Sequence, residues 1–190
     1  MPAGLVVNPA SGKDIRRLTG KASVFDNREK LAIVKRALAG AVSGGLSHLY
    51  YMDDAHGIAH TAIAESALPR SIKVERIPTP KTSSALDTLA AAEAFSQTDC
   101  NVVMTLGGDG TNRAFVKGWR DANLIPLSTG TNNVFPVLEE ATIAGMALGL
   151  MSQGKRSMGR FIQRRKVIEL DLGSETDIAL IDAVMTSDQF

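Results

Sequence analysis

The sequence predicts an α/β fold, a doubly wound parallel sheet of five strands with helices on both faces. Short apolar runs rich in β-branched residues recur along the chain, and each is followed by a stretch with helical periodicity. Turns rich in Gly, Pro, Asn and Ser separate the two kinds of segment. Strict alternation of strand and helix favours parallel strands joined by right-handed crossovers. We therefore expect an α/β domain over residues 1–154.

The elements follow one another in a regular order. The apolar runs predict strands at 4–7, 46–52, 71–77, 102–106 and 124–127. The helical periodicities predict helices at 27–42, 55–67, 82–94, 114–122 and 138–151. A basic stretch at 155–166 then leads into an alternating run at 167–172 and an apolar run at 178–185. Residues 155–190 are therefore expected to supply a linker and the first hairpin of a truncated all-β domain.

The composition narrows the class of protein and partner. Hydrophobic residues make up 44% of the chain and charged residues 22%, which is ordinary for a soluble globular protein. No run of eighteen apolar residues could span a membrane, and the lone Cys100 cannot form an internal disulfide. The net charge of +1 and the low aromatic content argue against a nucleic-acid partner. We expect a cytoplasmic protein without membrane or nucleic-acid partners.

The most informative stretch is the central turn after the fourth strand. Gly107, Gly108 and Gly110 enclose Asp109, and a helix is expected to begin near Arg113. Such a strand-turn-helix junction suits a phosphate, because glycine permits close approach and the first helical amides are unpaired donors. A carboxylate there is explained if it holds Mg²⁺ or takes a proton from an attacking hydroxyl. The alternative is that Asp109 only caps its own helix.

Two further turns are expected at the same edge of the sheet. Asn8-Pro9-Ala10-Ser11-Gly12 follows the first strand, and a run of hydroxyl and amide side chains follows the fifth. That run comprises Ser128, Thr129, Gly130, Thr131, Asn132 and Asn133. Uncharged donors and acceptors of this kind can hold ribose and base edges, although an Asx-turn without a ligand is the alternative.

A loop after the third strand is a weaker candidate. Lys81, Thr82 and Ser83 are expected at the edge that carries Asp109, where they could contact phosphate. A helix start capped by Thr82 or Ser83 is the alternative. Lys13 could also meet a phosphate, but Ser11-Gly12-Lys13 lacks the glycine spacing of a P-loop.

The ordered trio of turns at 8–12, 107–111 and 128–133 resembles the superfamily of NAD kinases and diacylglycerol-type lipid kinases. Within it, Gly-Gly-Asp-Gly-Thr-Asn-Arg and Ser-Thr-Gly-Thr-Asn-Asn-Val-Phe-Pro look most like the ATP-NAD kinase-like proteins of acetoin-catabolism operons. The resemblance implies a Rossmann-like amino-terminal domain, a carboxyl-terminal β domain and an active site between them. We also expect a homo-oligomer formed through the β domain.

The resemblance also implies an activity and a set of site residues. Asp109 would activate the ribose 2′-hydroxyl of NAD towards the γ-phosphate of ATP, with Mg²⁺ as the metal. The expected nucleotide-binding residues are Asn8, Lys81, Gly107, Gly108, Gly110, Thr111, Asn112, Thr129, Gly130, Thr131, Asn132, Asn133 and Asp182. NAD kinases carry Ala-Leu-Asn-Glu where this chain has Ala179-Leu180-Ile181-Asp182, so an acid is kept and an amide is replaced.

Two other functions remain open from the sequence. The chain could belong to a nucleotide-binding regulator of acetoin catabolism that has lost turnover, and Ile181 is the residue that favours this alternative. It could also belong to a lipid kinase, which would need an exposed apolar entrance to its site.

Overall fold

The computed structural model describes residues 1–12, 26–129, 133–154 and 160–186. Its larger sheet contains β1 (Ala3–Val7), β2 (His48–Met52), β3 (Lys73–Ile77), β4 (Val102–Gly107) and β5 (Leu124–Ser128). The helices between and after these strands are α1 (Asn27–Ser43), α2 (Ile58–Glu65), α3 (Ala85–Ser96), α4 (Asp109–Gly118) and α5 (Ala141–Ser152).

The five strands are all parallel and lie in the order β3-β2-β1-β4-β5. β1 and β4 are neighbours in the middle of the sheet, with Val7 opposite Leu106. This order confirms the predicted doubly wound α/β fold. Because the chain leaves β1 and β4 towards opposite faces, the point between their carboxyl ends is a topological switch point, where such folds form a crevice.

Alternating side chains of the buried strands form two cores. Leu5 and Val7 pack with α1, α2 and α5 on one face, while Val6 packs with α3 and α4 on the other. β4 is buried at all its residues, which explains why its sequence is a continuous apolar run rather than an alternating one. Both faces of the central strands are thus covered, and their carboxyl ends are held by packing on each side.

α1 and α5 cross at backbone contact. A Cβ added to Gly145 would lie 1.9 Å from the Ala37 carbonyl oxygen, and one added to Gly40 would lie 2.0 Å from the Thr142 carbonyl oxygen. Only residues without a side chain permit this approach. The crossing anchors α5, and thereby the segment that follows β5, against the helix that follows β1.

Two helix starts differ from the sequence-based prediction. α4 begins at Asp109 instead of residue 114, because Gly108 is its N-cap and the glycine-rich run enters the first helical turn. α3 begins after Ser84, whose hydroxyl caps the Leu86 amide, so neither Thr82 nor Ser83 is the N-cap. The Thr82 and Ser83 amides donate to the Asp87 carboxylate instead, as in a capping box.

A small antiparallel sheet follows the α/β layers. It pairs β6 (Ile168–Asp171) with β7 (Thr176–Ala179), and Gly173 has a φ of +80° in the connecting turn. Ile178 and Leu180 pack against Val116 of α4, which supports a hairpin that would be marginal alone. The domain boundary at residue 154 stays a prediction, since residues 155–159 lie outside the described part. No helix in the described ranges is long and apolar enough to cross a membrane.

Candidate functional site

A hollow of about 800 Å³ lies at the switch point between the carboxyl ends of β1 and β4. Its walls come from the turn after β1, the start of α3, the start of α4 and the segment after β5. The described residues that line it are Asn8, Ala10, Ser11, Gly12, Ser83, Ser84, Ala85, Thr88, Gly108, Asp109, Gly110, Thr111, Arg113, Ala114, Thr129 and Asn133. The three predicted turns therefore meet in one place.

The first turn and the central turn are joined directly. The Asn8 side-chain amide donates to the Thr111 hydroxyl at 2.8 Å, and the Asn8 side-chain oxygen accepts from the Ala10 amide at 2.9 Å. A Cβ on Gly107 would lie 2.3 Å from that same Thr111 hydroxyl, so the strand must end in glycine for Thr111 to reach Asn8. Asn8 and Thr111 thus form one wall of the hollow.

Asp109 bridges the central turn and the segment after β5. Its carboxylate accepts hydrogen bonds from the Val134 amide at 3.1 Å and the Phe135 amide at 2.8 Å. The N-cap of α4 is Gly108, and Asp109 does not cap its own helix. The side chain is partly buried and its oxygens lie at the hollow. A carboxylate in this position is held in a fixed orientation at a site that ligands can enter.

The second turn approaches the central turn closely. A Cβ on Gly108 would lie 2.8 Å from the Asn133 side-chain oxygen, while Asn133 donates to the Ser128 hydroxyl at 2.8 Å. Thr129 is 1% exposed and lines the hollow. Gly110 differs, because a Cβ there would meet nothing within 4 Å. The open side of the hollow therefore lies over the first turn of α4.

Some predicted site residues lie elsewhere. Asn112 is fully buried, where its side-chain oxygen accepts from Thr105 and its amide donates to the Gly108 carbonyl, so it supports the turn from below. Lys81 is exposed and pairs with Asp53 at 2.8 Å, and Asp182 is exposed beyond β7. None of these three is among the described residues that line the hollow. Their roles in nucleotide binding stay predictions.

The remaining predicted residues lie outside the described part. Gly130, Thr131 and Asn132 belong to the second turn, and Lys13 follows the first. Their flanking residues, Thr129 and Gly12, do line the hollow.

The sequence reasoning missed two cations near this site. Lys30 of α1 is fully buried and donates to the Pro9 carbonyl at 2.7 Å and the Asn8 carbonyl at 3.2 Å. Its place on the same helical stripe as Ile33, Val34 and Ala37 was the available sign that this lysine points inward. Arg113 lines the hollow one helical turn after Asp109, and no local pattern separated it from a solvated arginine.

These groups suit an uncharged ring system joined to phosphate. Hydroxyls and amides surround the hollow, and the first turns of α3 and α4 both face it with their positive ends. Asp109 is the one carboxylate among the described lining residues, and no cluster of three metal-binding side chains occurs in the described ranges. One carboxylate is nevertheless enough for Mg²⁺ when phosphate and water supply the other ligands.

Comparison with known proteins gives two matches. A family model described as the ATP-NAD kinase N-terminal domain matches residues 4–155. Acetoin catabolism protein X of Cupriavidus necator is 33% identical over 200 aligned positions, which cover 98% of this chain and 55% of the relative. The chain thus spans just over half the length of that relative. No solved structure matches the chain.

Proposed function

This chain belongs to the NAD kinase family, and from that premise we propose that it forms the nucleotide-binding part of an enzyme that phosphorylates the 2′-hydroxyl of NAD with ATP. The observation that carries the proposal is the position of Asp109. Its carboxylate lies at the switch-point hollow between the Asn8–Thr111 wall and the segment after β5. Family membership alone would not place an acid there.

The proposed reaction transfers one phosphoryl group. The ribose 2′-oxygen forms a bond to the γ-phosphorus, the bond from that phosphorus to the β,γ-bridging oxygen breaks, and ADP leaves. Asp109 takes the proton of the attacking hydroxyl. A positioned base of this kind contributes about a hundredfold to ten-thousandfold in rate. The Val134 and Phe135 amides fix the carboxylate beforehand, which lowers the entropic cost of alignment.

The charge of the phosphates requires compensation during the transfer. Mg²⁺ bound to the phosphates, with Asp109 as a single protein ligand, would neutralise part of that charge. The chain itself contributes the positive ends of α3 and α4, which face the hollow. Glycine at position 108 keeps the main chain close to Asn133, so that the two turns contact the ligand from neighbouring sides.

The test is Asp109→Asn in the full-length protein, assayed by ATP-dependent formation of NADP. The amide keeps the shape and one acceptor oxygen but cannot take a proton at neutral pH. We expect the rate to fall about a hundredfold to ten-thousandfold with the same unfolding midpoint. Asp121→Asn, at an exposed position just after α4, is the matched control and should keep the wild-type rate. A wild-type rate in Asp109→Asn would remove Asp109 from the mechanism.

A non-catalytic nucleotide-binding regulator is the second candidate. Ile181 is partly buried against the apolar cluster of Val116, Ile178 and Leu180, where the resemblance leads us to expect an amide that helps to hold NAD. An apolar side chain in that place supports packing rather than dinucleotide binding. Calorimetry with ATP and NAD, combined with a product assay, separates the candidates, because tight binding without NADP formation would support the regulator.

A further inference from the structure

Arg113 gives the hollow its positive charge. It lies on α4 one turn after Asp109, and it is the one cation among the described residues that line the hollow. Asp109 does not neutralise it, because the Asp109 carboxylate is bonded to the Val134 and Phe135 amides. A ligand that carries several phosphate charges therefore meets one fixed cation on this wall.

The β6–β7 hairpin holds the guanidinium of Arg113 in place. Nε donates to the Ile178 carbonyl at 2.6 Å, and one terminal nitrogen donates to the Asp177 carboxylate. The other terminal nitrogen has no partner within the described residues. A guanidinium is planar and rigid, so two bonds on one edge fix the direction of its remaining donors. Arg113 is thus oriented before any ligand arrives.

The charges around Arg113 leave a positive excess. Asp177 is shared between Arg113 and Lys117, whose ammonium lies 3.0 Å from the carboxylate. Two cations against one acid leave a net charge of +1. The Ile178 amide and the neighbouring Lys117 hold the pKa of Asp177 below its usual range, so this acid is ionised at neutral pH. Asp177 therefore orients Arg113 without cancelling the positive charge of the group.

We propose that Arg113 binds the phosphate groups of the nucleotide ligand in this hollow, and that Asp177 of β7 is the residue that positions it. The inference rests on the proposed function, in that it assumes a phosphorylated nucleotide in the hollow. It assigns the hairpin a part in ligand binding. Guanidinium suits the task, because it can form two parallel hydrogen bonds to phosphate oxygens.

A second arginine offers a matched control. Arg120 pairs with Glu169 of β6 at 2.9 Å, so it also ties the end of α4 to the hairpin. Arg120 is not among the described residues that line the hollow. A change at Arg120 therefore weakens the contact between helix and hairpin without touching the ligand, and it measures the purely structural effect of losing one such pair.

The experiment measures binding of ATP and of uncharged adenosine by calorimetry, at several salt concentrations, in the full-length protein. We expect Arg113→Gln to weaken ATP binding roughly tenfold to a hundredfold, as charge-assisted hydrogen bonds are lost, and to leave adenosine binding unchanged. The salt dependence of ATP binding should also become less steep. Asp177→Asn should weaken ATP binding by a smaller factor, and Arg120→Gln should not change it.

Arg113→Lys guards against a folding defect. It keeps the charge but cannot form the same pair of hairpin bonds, so we expect ATP affinity between that of the wild type and Arg113→Gln. Equal loss of ATP and adenosine binding in Arg113→Gln, or no loss of either, would overturn the inference while leaving the proposed reaction intact. ATP binding that depends on Arg113 in a wild-type protein that makes no NADP would support the inference and contradict the proposed reaction.

Discussion

Gly110 allows stability and ligand binding to be tested with a single methyl group. It lies in the first turn of α4 with ordinary helical backbone angles, and an added Cβ would meet no protein atom within 4 Å. Gly110→Ala should therefore stabilise the fold by up to about 1 kcal/mol, since alanine loses less backbone entropy than glycine. The same methyl group would occupy space over the α4 amides. We expect ATP affinity to fall at least about tenfold, which is about 1.4 kcal/mol.

Urea unfolding and calorimetry with ATP measure the two effects separately. Gly107→Ala is the contrasting variant, because its Cβ would lie 2.3 Å from the Thr111 hydroxyl and should destabilise the fold by roughly 1–3 kcal/mol. Wild-type ATP affinity in Gly110→Ala would show that the ligand does not approach the first turn of α4. Loss of stability in that variant would refute the open geometry around Gly110.

Two further predictions concern stability. Gly145→Ala should lower the free energy of unfolding by about 1–3 kcal/mol despite better helix propensity, because its Cβ would lie 1.9 Å from the Ala37 carbonyl oxygen; an unchanged melting temperature would contradict the close helix crossing. Burial raises the pKa of the Cys100 thiol from 9.0 to about 12, so the folded thiol stays protonated where the unfolded one ionises. Stability should be complete below pH 9 and then fall by up to about 1.4 kcal/mol per pH unit. Urea unfolding of wild type and Cys100→Ala between pH 8 and about 11 tests this, since identical pH dependence would refute it.

The architecture could be predicted from the sequence because its causes are local or general. Strand and helix periods are written within each segment, and the handedness of crossovers then leaves few ways to order five alternating units. Parallel strands also end at the same edge, which is why the turns containing Asn8, Asp109 and Asn133 could be expected together. The hollow at the switch point agrees with that expectation.

What could not be predicted depends on contacts between distant segments. Arg113 is joined to Asp177, 64 positions later, and Lys30 reaches Pro9 from the opposite direction. Lys81 was expected to face phosphate, but the neighbouring Asp53 is its partner in the structure. The start of α4 was placed too late because glycine and Asp are typical of turns, whereas here the wide contact between Gly107 and Thr111 winds them into a helix.

The hydrogen bonds from Val134 and Phe135 to Asp109 also bear on what happens after phosphoryl transfer. Once this carboxylate has accepted a proton, its oxygens carry less charge and attract the two amides more weakly. The strip of backbone leading towards α5 is then held less firmly at the moment when product must depart. Turnover would loosen its own container, and deprotonation of the acid to solvent would tighten it again for the following cycle.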